Sequence, residues 1–362
     1  MIYFDNAATT KMNPKTASFM KKNLDDLWFN ASAAYAPNYR ALIDKTRRSI
    51  LCMLGADEDD HIIFTSGGSE ANALAIHRQQ IITDDIEHSS LLNSWKGYRV
   101  GVDDDGFVDI DSSTGIIHMF NQLPNRLISV QLANNEVGTL QDVRKIREYC
   151  PGAIIHTDAV QAVGHIPINI KTLGVDMLSA SAHKFGGPKG VGFLYVSKRA
   201  YDLLDPVIFG EQEDGRRGST YNTVCILGME LALIDAYDNM NANMLMTNIV
   251  KQRIYQEMSK IDCATLNGTS DFEKRLPGNL NYRFEGYKGE EIQTFLAEHA
   301  IYVSTGSACA SMSHEPSHVL KAMGLSDDEA GSSIRITVNE NNSVDEVEEF
   351  IAVLKQALKI LV

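Results

Sequence analysis

The feature that most constrains this chain is a repeated alternation of short apolar runs with helical stretches between residues 61 and 196. Residues 61–65, 127–132, 153–156, 175–178 and 191–196 are near-continuous apolar runs, with helical stretches at 70–77 and 143–149 between them. Strands apolar along their whole length are covered on both faces, and strands joined through helices run parallel. The pattern predicts an α/β fold: a large domain with a mostly parallel sheet flanked by helices. Residues 191–196 are expected as an antiparallel edge or neighbouring strand. Residues 1–14 read as turn-rich and poor in strand, and residues 15–55 as mostly helical, broken around 28–32 and at Pro37. From about residue 224 one long helical stretch runs to Lys260 and connects to a smaller α+β C-terminal unit. That unit holds strands at 278–283 and 335–338 and a helix at 289–299. Ser343 and Glu346 have capping-box spacing, and Val347, Phe350, Ile351, Leu354 and Leu358 follow at helical spacing. The expected division is a large domain over 15–247 and a small one over 248–362, with segment 1–14 packing near the latter.

Several polar motifs fall at the ends of these runs. The strand at 175–178 leads into Ser181-Ala-His183-Lys184 and a glycine-rich turn. Desolvation at a buried strand end favours the neutral amine of a lysine, a nucleophile that can hold an aldehyde cofactor as a Schiff base. Phe64-Thr-Ser-Gly67-Gly68-Ser69-Glu-Ala-Asn72 takes a strand through small residues into a helix start, where free N–H groups suit a phosphate. A plain capped turn fits that segment equally well. It is neither a P-loop nor a GxGxxG fingerprint. His88 follows a short strand and could stack on a flat ring, although a lone histidine is more often structural. Asn134-Asn135-Glu136 crowds polar groups at a strand's carboxyl end, where open α/β sheets bind ligands, and would also suit an ordinary turn. Asp158 ends another run. A buried carboxylate there needs a cation, such as a pyridinium nitrogen, or else serves as a helix N-cap. Gln161 would face the same way if a helix has begun. Together these groups are the set that a pyridoxal-phosphate site requires.

Composition narrows the class. The 362 residues carry a formal charge of −14, which argues against nucleic acid and anionic membrane partners. No apolar window approaches the ~18 residues of a membrane span, and the first residues lack the basic and apolar regions of a signal peptide. Cysteines 52, 150, 225, 263 and 309 are scattered with no CxxC, which suits free thiols in a reducing cytoplasm.

Phe64 to Asn72, Asn134 to Gly138, Asp158 to Gln161 and Ser181 to Lys184 together resemble the fold-type I, class V aminotransferases, and among them the NifS/IscS-like cysteine desulfurases. The opening Tyr3-Phe-Asp-Asn-Ala-Ala-Thr-Thr10 resembles that family's start. Ser304-Thr-Gly-Ser-Ala-Cys309-Ala-Ser311, followed by Glu315-Pro-Ser317, resembles its persulfide loop. The resemblance runs from Tyr3 to about Arg335. It implies pyridoxal 5'-phosphate as cofactor and L-cysteine as substrate, with L-alanine and a persulfide on Cys309 as products. The sulfur would pass to an acceptor protein of unstated identity, in iron–sulfur cluster assembly or thio-modification. By resemblance, Lys184 binds the cofactor and moves the α-proton, Asp158 meets the ring nitrogen, Gln161 the phenolic oxygen, and His88 stacks on the ring. Asn135 contacts cofactor or substrate, and Arg335 takes the substrate carboxylate. Gly68, Ser69, Ser181 and His183 hold the phosphate, with Thr220 reaching in from the partner subunit of a homodimer. No resident metal is implied, and whether Cys309 lends a transient ligand to a nascent iron–sulfur cluster stays open. The chain departs from the family's pattern at Tyr35, Ser219 and Glu340.

Three other readings stay in view. A selenocysteine lyase or another class V aminotransferase-type enzyme would use the same cofactor, and a transaminase would not need Cys309. A non-catalytic sulfur carrier would not need Lys184, His88 and Asp158. His314-Glu-Pro-Ser-His318 matches the HExxH pattern of zinc peptidases, which requires both histidines on one helical turn.

Overall fold

The computed structural model describes residues 1–94, 97–123, 127–306 and 316–361. In chain order its strands are β1 (Ile2–Tyr3), β2 (His61–Thr65), β3 (Ile81–Asp84), β4 (Tyr98–Val100), β5 (Leu127–Ser129), β6 (Ile154–Asp158), β7 (Met177–Ser181), β8 (Gly192–Val196), β9 (Ala264–Leu266), β10 (Asn279–Phe284), β11 (Ile301–Tyr302) and β12 (Ser333–Thr337). Among the described residues, seven strands form one sheet in the order β2-β8-β7-β6-β5-β3-β4. All run parallel except β8, which pairs antiparallel with both neighbours. The carboxyl ends of β2, β3, β5, β6 and β7 therefore share one edge. Helices cover both faces, and apolar clusters fill the space on either side.

Of the two places expected for residues 191–196, the structure shows the antiparallel neighbour and not the edge: β8 lies between β2 and β7, and β2 is the outer strand. All five β8 residues are buried, so each face must be covered. Gly192 makes the position possible, because a Cβ there would stand 2.8 Å from Gly67 Cα and 2.4 Å from Ala180 O. The run at 127–132 is a strand only to Ser129. Beyond it, Val130 and Leu132 donate to the carbonyls of His156 and Asp158 as the chain turns.

The helical segments differ from expectation at their joints. Pro14 and Pro37 each start a helix, α1 (Pro14–Asn23) and α2 (Pro37–Leu54), as the missing N–H of proline favours. The stretch 224–260 is two helices, Thr223–Asp238 and Met240–Met258, broken at Asn239, whose side chain donates to Asp235 O.

Beyond the large sheet, β9, β10 and β12 form an antiparallel sheet in the order β12-β10-β9. Residues 1–14 are poor in strand as expected, with only the two-residue β1, which pairs in parallel with β11, before the helix start at Pro14. Phe4 is fully buried and meets Phe350 edge-on at 5.5 Å, in an apolar cluster with Leu280, Phe284 and Leu354. The last helix, Val344–Ile360, starts with the expected Ser343–Glu346 capping box. No helix among the described residues is long and apolar enough to cross a membrane.

Candidate active site

The polar motifs gather at the shared carboxyl edge of the large sheet. β2 delivers Gly67 and Gly68 to the start of α3 (Gly68–Ile76). Gly67 has φ 153°, and its position gives the first turn no side-chain cap, as suits N–H groups kept for a ligand. A Cβ on Gly68 would stand 2.5 Å from Val160 Cγ2 and 3.6 Å from Ser181 Cβ, so the helix start is pressed against β7 and the turn after β6. Ser69 is exposed beside it. Glu70 closes the turn by accepting from Ser66 N at 2.8 Å and pairs with Arg217 at 2.7 Å.

Asp158 ends β6 almost fully buried. Oδ1 accepts from Val160 N at 2.9 Å, and Oδ2 accepts from Asn72 Nδ2 at 2.6 Å. Residues 159–163 form turns rather than a helix, so Gln161 is placed by a turn. Its Nε2 donates to Ala7 O at 3.0 Å. Lys184 follows β7, half-buried, and its Nζ donates to that same Ala7 carbonyl at 2.5 Å and to Ala8 O at 2.9 Å. Ala7 thus joins Lys184 and Gln161 across more than 150 residues of sequence. His165 Nε2 bonds Lys184 O at 2.8 Å and steadies the lysine backbone. His183 shares its Nδ1 with Thr9 Oγ1 at 3.0 Å. Burial and the adjacent Lys184 charge push that imidazole down to about 4.

His88 precedes the short helix α4 (Ser89–Leu92) as its N-cap. Its Nδ1 accepts from Ser90 N at 3.1 Å, which leaves the proton of the neutral ring on Nε2. Burial lowers its basicity. Asp158 pulls it upward, and Lys184 and His318 push it down. A chain of polar contacts runs from His88 to Ser90 Oγ at 2.7 Å, to Asn72 Nδ2 at 3.0 Å, and on to Asp158. Behind it lie Asp84 and Glu87, both fully buried. Burial raises Asp84 to about 7. Burial and the Asp84 charge raise Glu87 well above the usual carboxylate range.

Arg335, on β12, completes the edge from the other side. It is 3% exposed, donates Nη2 to Asp5 at 2.7 Å and Nη1 to Asn135 O at 3.0 Å, and keeps Nε buried without a partner. Asn135 is half-buried, whereas Asn134 is fully buried and serves the turn, accepting from Glu136 N and Val137 N. Glu136 accepts from Ser317 Oγ at 2.5 Å, and a Cβ on Gly306 would stand 2.6 Å from its Oε2. The chain on both sides of residues 307–315 therefore meets at Glu136. Cys309 and His314 lie outside the described residues.

Thr220 is exposed on the segment before the helix Thr223–Asp238. That segment is tied down by the Arg217–Glu70 pair and by Glu213 and Tyr221 on Arg47. The HExxH reading fails on geometry. The pattern needs one unbroken helical turn leading into His318, but the helix His318–Ala322 starts only there, and its N-cap Ser317 has non-helical angles. His318 Nε2 bonds the Glu87 carbonyl at 3.0 Å instead.

The donor set suits pyridoxal phosphate. An uncapped helix start pressed against Ser181 suits a phosphate, a buried carboxylate suits a pyridinium nitrogen, and an amine stands alongside. Asn72, Asp5, Ala7 and Ala8 lie inside motifs that assign them no role, and Ser90 and His165 carry no signal of their own; fold contacts alone give all six a part in this edge.

The fold and edge define a class that comparison with known proteins makes specific. Residues 2–350 match the family model for aminotransferase class-V, and the chain belongs to that family. Within it, a curated relative named cysteine desulfurase IscS, from Clostridium botulinum, is 36% identical over 380 residues, covering 99% of this chain and 94% of its own. A solved NifS-like protein from Rickettsia africae superposes with a TM-score of 0.91 at 30% identity, covering 99% of this chain and all of its own. A structure titled SspA in complex with cysteine superposes at 0.77 with 31% identity, covering 93% of this chain and 99% of its own.

Proposed function

We propose that this chain is a pyridoxal-phosphate-dependent cysteine desulfurase that converts L-cysteine to L-alanine and retains the sulfur as a persulfide on Cys309. The observation that carries the reading is the meeting of Lys184, Asp158 and His88 at one sheet edge, in a class V chain with full-length desulfurase relatives. When bound, pyridoxal phosphate supplies an electron sink for negative charge at the amino-acid carbons. The first turn of α3 with Gly68, Ser69, Ser181 and His183 would hold its phosphate. Asp158, held by Asn72, would meet the ring nitrogen, and Gln161 the phenolic oxygen. His88, neutral and fixed by Ser90, would stack on the ring. Lys184 carries the α-proton on Nζ, after leaving the Ala7 and Ala8 carbonyls.

Arg335 takes the substrate carboxylate, with Asp5 fixing its guanidinium and Asn135 beside it. The Cys309 thiolate attacks the substrate sulfur, the carbon–sulfur bond breaks with its electron pair left on carbon, and a proton on that carbon gives alanine. A thiol acceptor then takes the sulfur and regenerates the Cys309 thiol. Iron–sulfur assembly and thio-modification both use such an acceptor.

The working unit is a homodimer in which Thr220 of one chain reaches the other's phosphate. Trp28, Tyr35 and Phe209 support this, with exposures of 71%, 75% and 75% that suit a covering surface. Each chain is organised as residues 15–247 and 248–362, with 1–14 beside the second, in line with its separate apolar clusters. Cys52, Cys150, Cys225 and Cys263 are free thiols and support a reducing, cytoplasmic setting. Incubating cofactor-loaded protein with L-cysteine and a thiol reductant tests the reaction. Alanine and sulfide in equal amounts are expected, and cysteine left untouched refutes it.

A further inference from the structure

Away from the sheet edge, two cations are buried with no acid bonded to them. Lys251, on the helix Met240–Met258, is fully buried, and its Nζ has no hydrogen-bond partner. The Phe272 ring lies below it, centroid 4.4 Å away. Arg275 is 1% exposed. Its Nη2 donates to Asn267 O, while Nε and Nη1 are unpartnered. The Tyr282 hydroxyl on β10 is also buried and unpartnered. These groups are neighbours. Arg275 reaches the carbonyl of Asn267, next in the chain to Leu266, which pairs with Tyr282 across β9 and β10, and Phe272, three residues before Arg275, meets both Lys251 and, edge-on at 4.9 Å, Tyr255. Among the described residues, Asp105 is the acid whose charge reaches Arg275, and it forms no salt bridge with it.

Burying two like charges together is costly unless something answers them. Burial pulls Lys251 down to about 8 and Arg275 to about 10, so both remain mostly charged at neutral pH. The unpartnered atoms of the three groups are an ammonium, two guanidinium N–H positions and a phenol, a set rich in donors with no charged acceptor. A water could bridge some of them but would leave both charges unanswered. An anion supplies both acceptor and charge.

We propose that Lys251, Arg275 and Tyr282 bind a small monovalent inorganic anion of the halide class, held between the helix Met240–Met258 and strand β10. This site is separate from the sheet edge and does not depend on the proposed reaction. The bound ion cancels one buried charge and fastens the helix to β10.

Bromide is the probe. Wild-type crystals soaked in bromide are expected to show an anomalous peak at hydrogen-bond distance from Lys251 Nζ. In solution, the unfolding midpoint of wild type should rise by about 2 °C in sodium bromide over sodium gluconate at equal ionic strength. Lys251→Met should lose that gain, and Lys251→Arg, which keeps the charge, should retain it. No anomalous peak, or an equal bromide gain in wild type and Lys251→Met, overturns the proposal. If Lys251→Met does not fold, the anomalous map of wild type decides by itself.

Discussion

At the residue scale, placement gives each polar side chain its role. Lys184 and Arg335 are both held by the segment from Asp5 to Ala8, through Asp5 to Arg335 and the Ala7 and Ala8 carbonyls to Lys184. Lys184→Ala should abolish the visible absorbance of cofactor-loaded protein and lower alanine release about 10³-fold, measured by spectrophotometry and amino-acid analysis. Arg335→Gln should lower kcat/KM for cysteine about 10- to 100-fold, chiefly through KM, because a charge-assisted contact is lost from substrate binding. The buried pair Asp84 and Glu87 sets a pH effect. Burial raises Asp84 to about 7 in the folded chain, above the ordinary carboxylate value near 4. Its contribution to stability is therefore complete below pH ~4 and is lost as pH rises toward 7. Asp84→Asn should flatten this fall and raise stability at pH 8 by roughly 1–3 kcal/mol relative to wild type, read from urea unfolding at several pH values.

At the element scale, the sheet edge was legible because each reactive residue ends an apolar run. Lys184, Asp158 and Gly68 all follow strands that periodicity alone identified. The register of β8 was not legible. Its apolar run fits an edge or an interior place, and Gly192 against Gly67 decides between them only through a contact over 120 residues away. Whether a helix has begun at Gln161 was open for a related reason, and the structure has a turn there, with the Asp158 carboxylate accepting from Val160 N. The close fit at α3 gives a test. Gly68→Ala should cost about 1–3 kcal/mol by driving a Cβ into Val160, and Val160→Ala in the same chain should recover part of it, measured by denaturant unfolding. Cofactor affinity should fall with Gly68→Ala and recover in the double variant.

At the scale of the whole molecule, the family was legible in the sequence because its motifs occur in order along nearly the full chain. The N-terminal segment was harder to read, since a two-residue strand carries no periodic signal. It nonetheless connects β11, β12 and Lys184 through β1, Thr337 and Ala7. Trp28, Tyr35 and Phe209 are exposed aromatic side chains expected to be covered in a dimer. Sedimentation velocity should give a dimer for wild type and a shift toward monomer for Phe209→Glu. Cofactor binding should weaken in that variant if Thr220 acts across the interface. The most direct test of the central claim is a single incubation with L-cysteine and reductant, comparing cofactor-loaded wild type with Cys309→Ala. Wild type should release alanine and sulfide in equal amounts, and Cys309→Ala should bind cofactor yet release neither at more than a residual rate. Full activity in Cys309→Ala would contradict the persulfide mechanism.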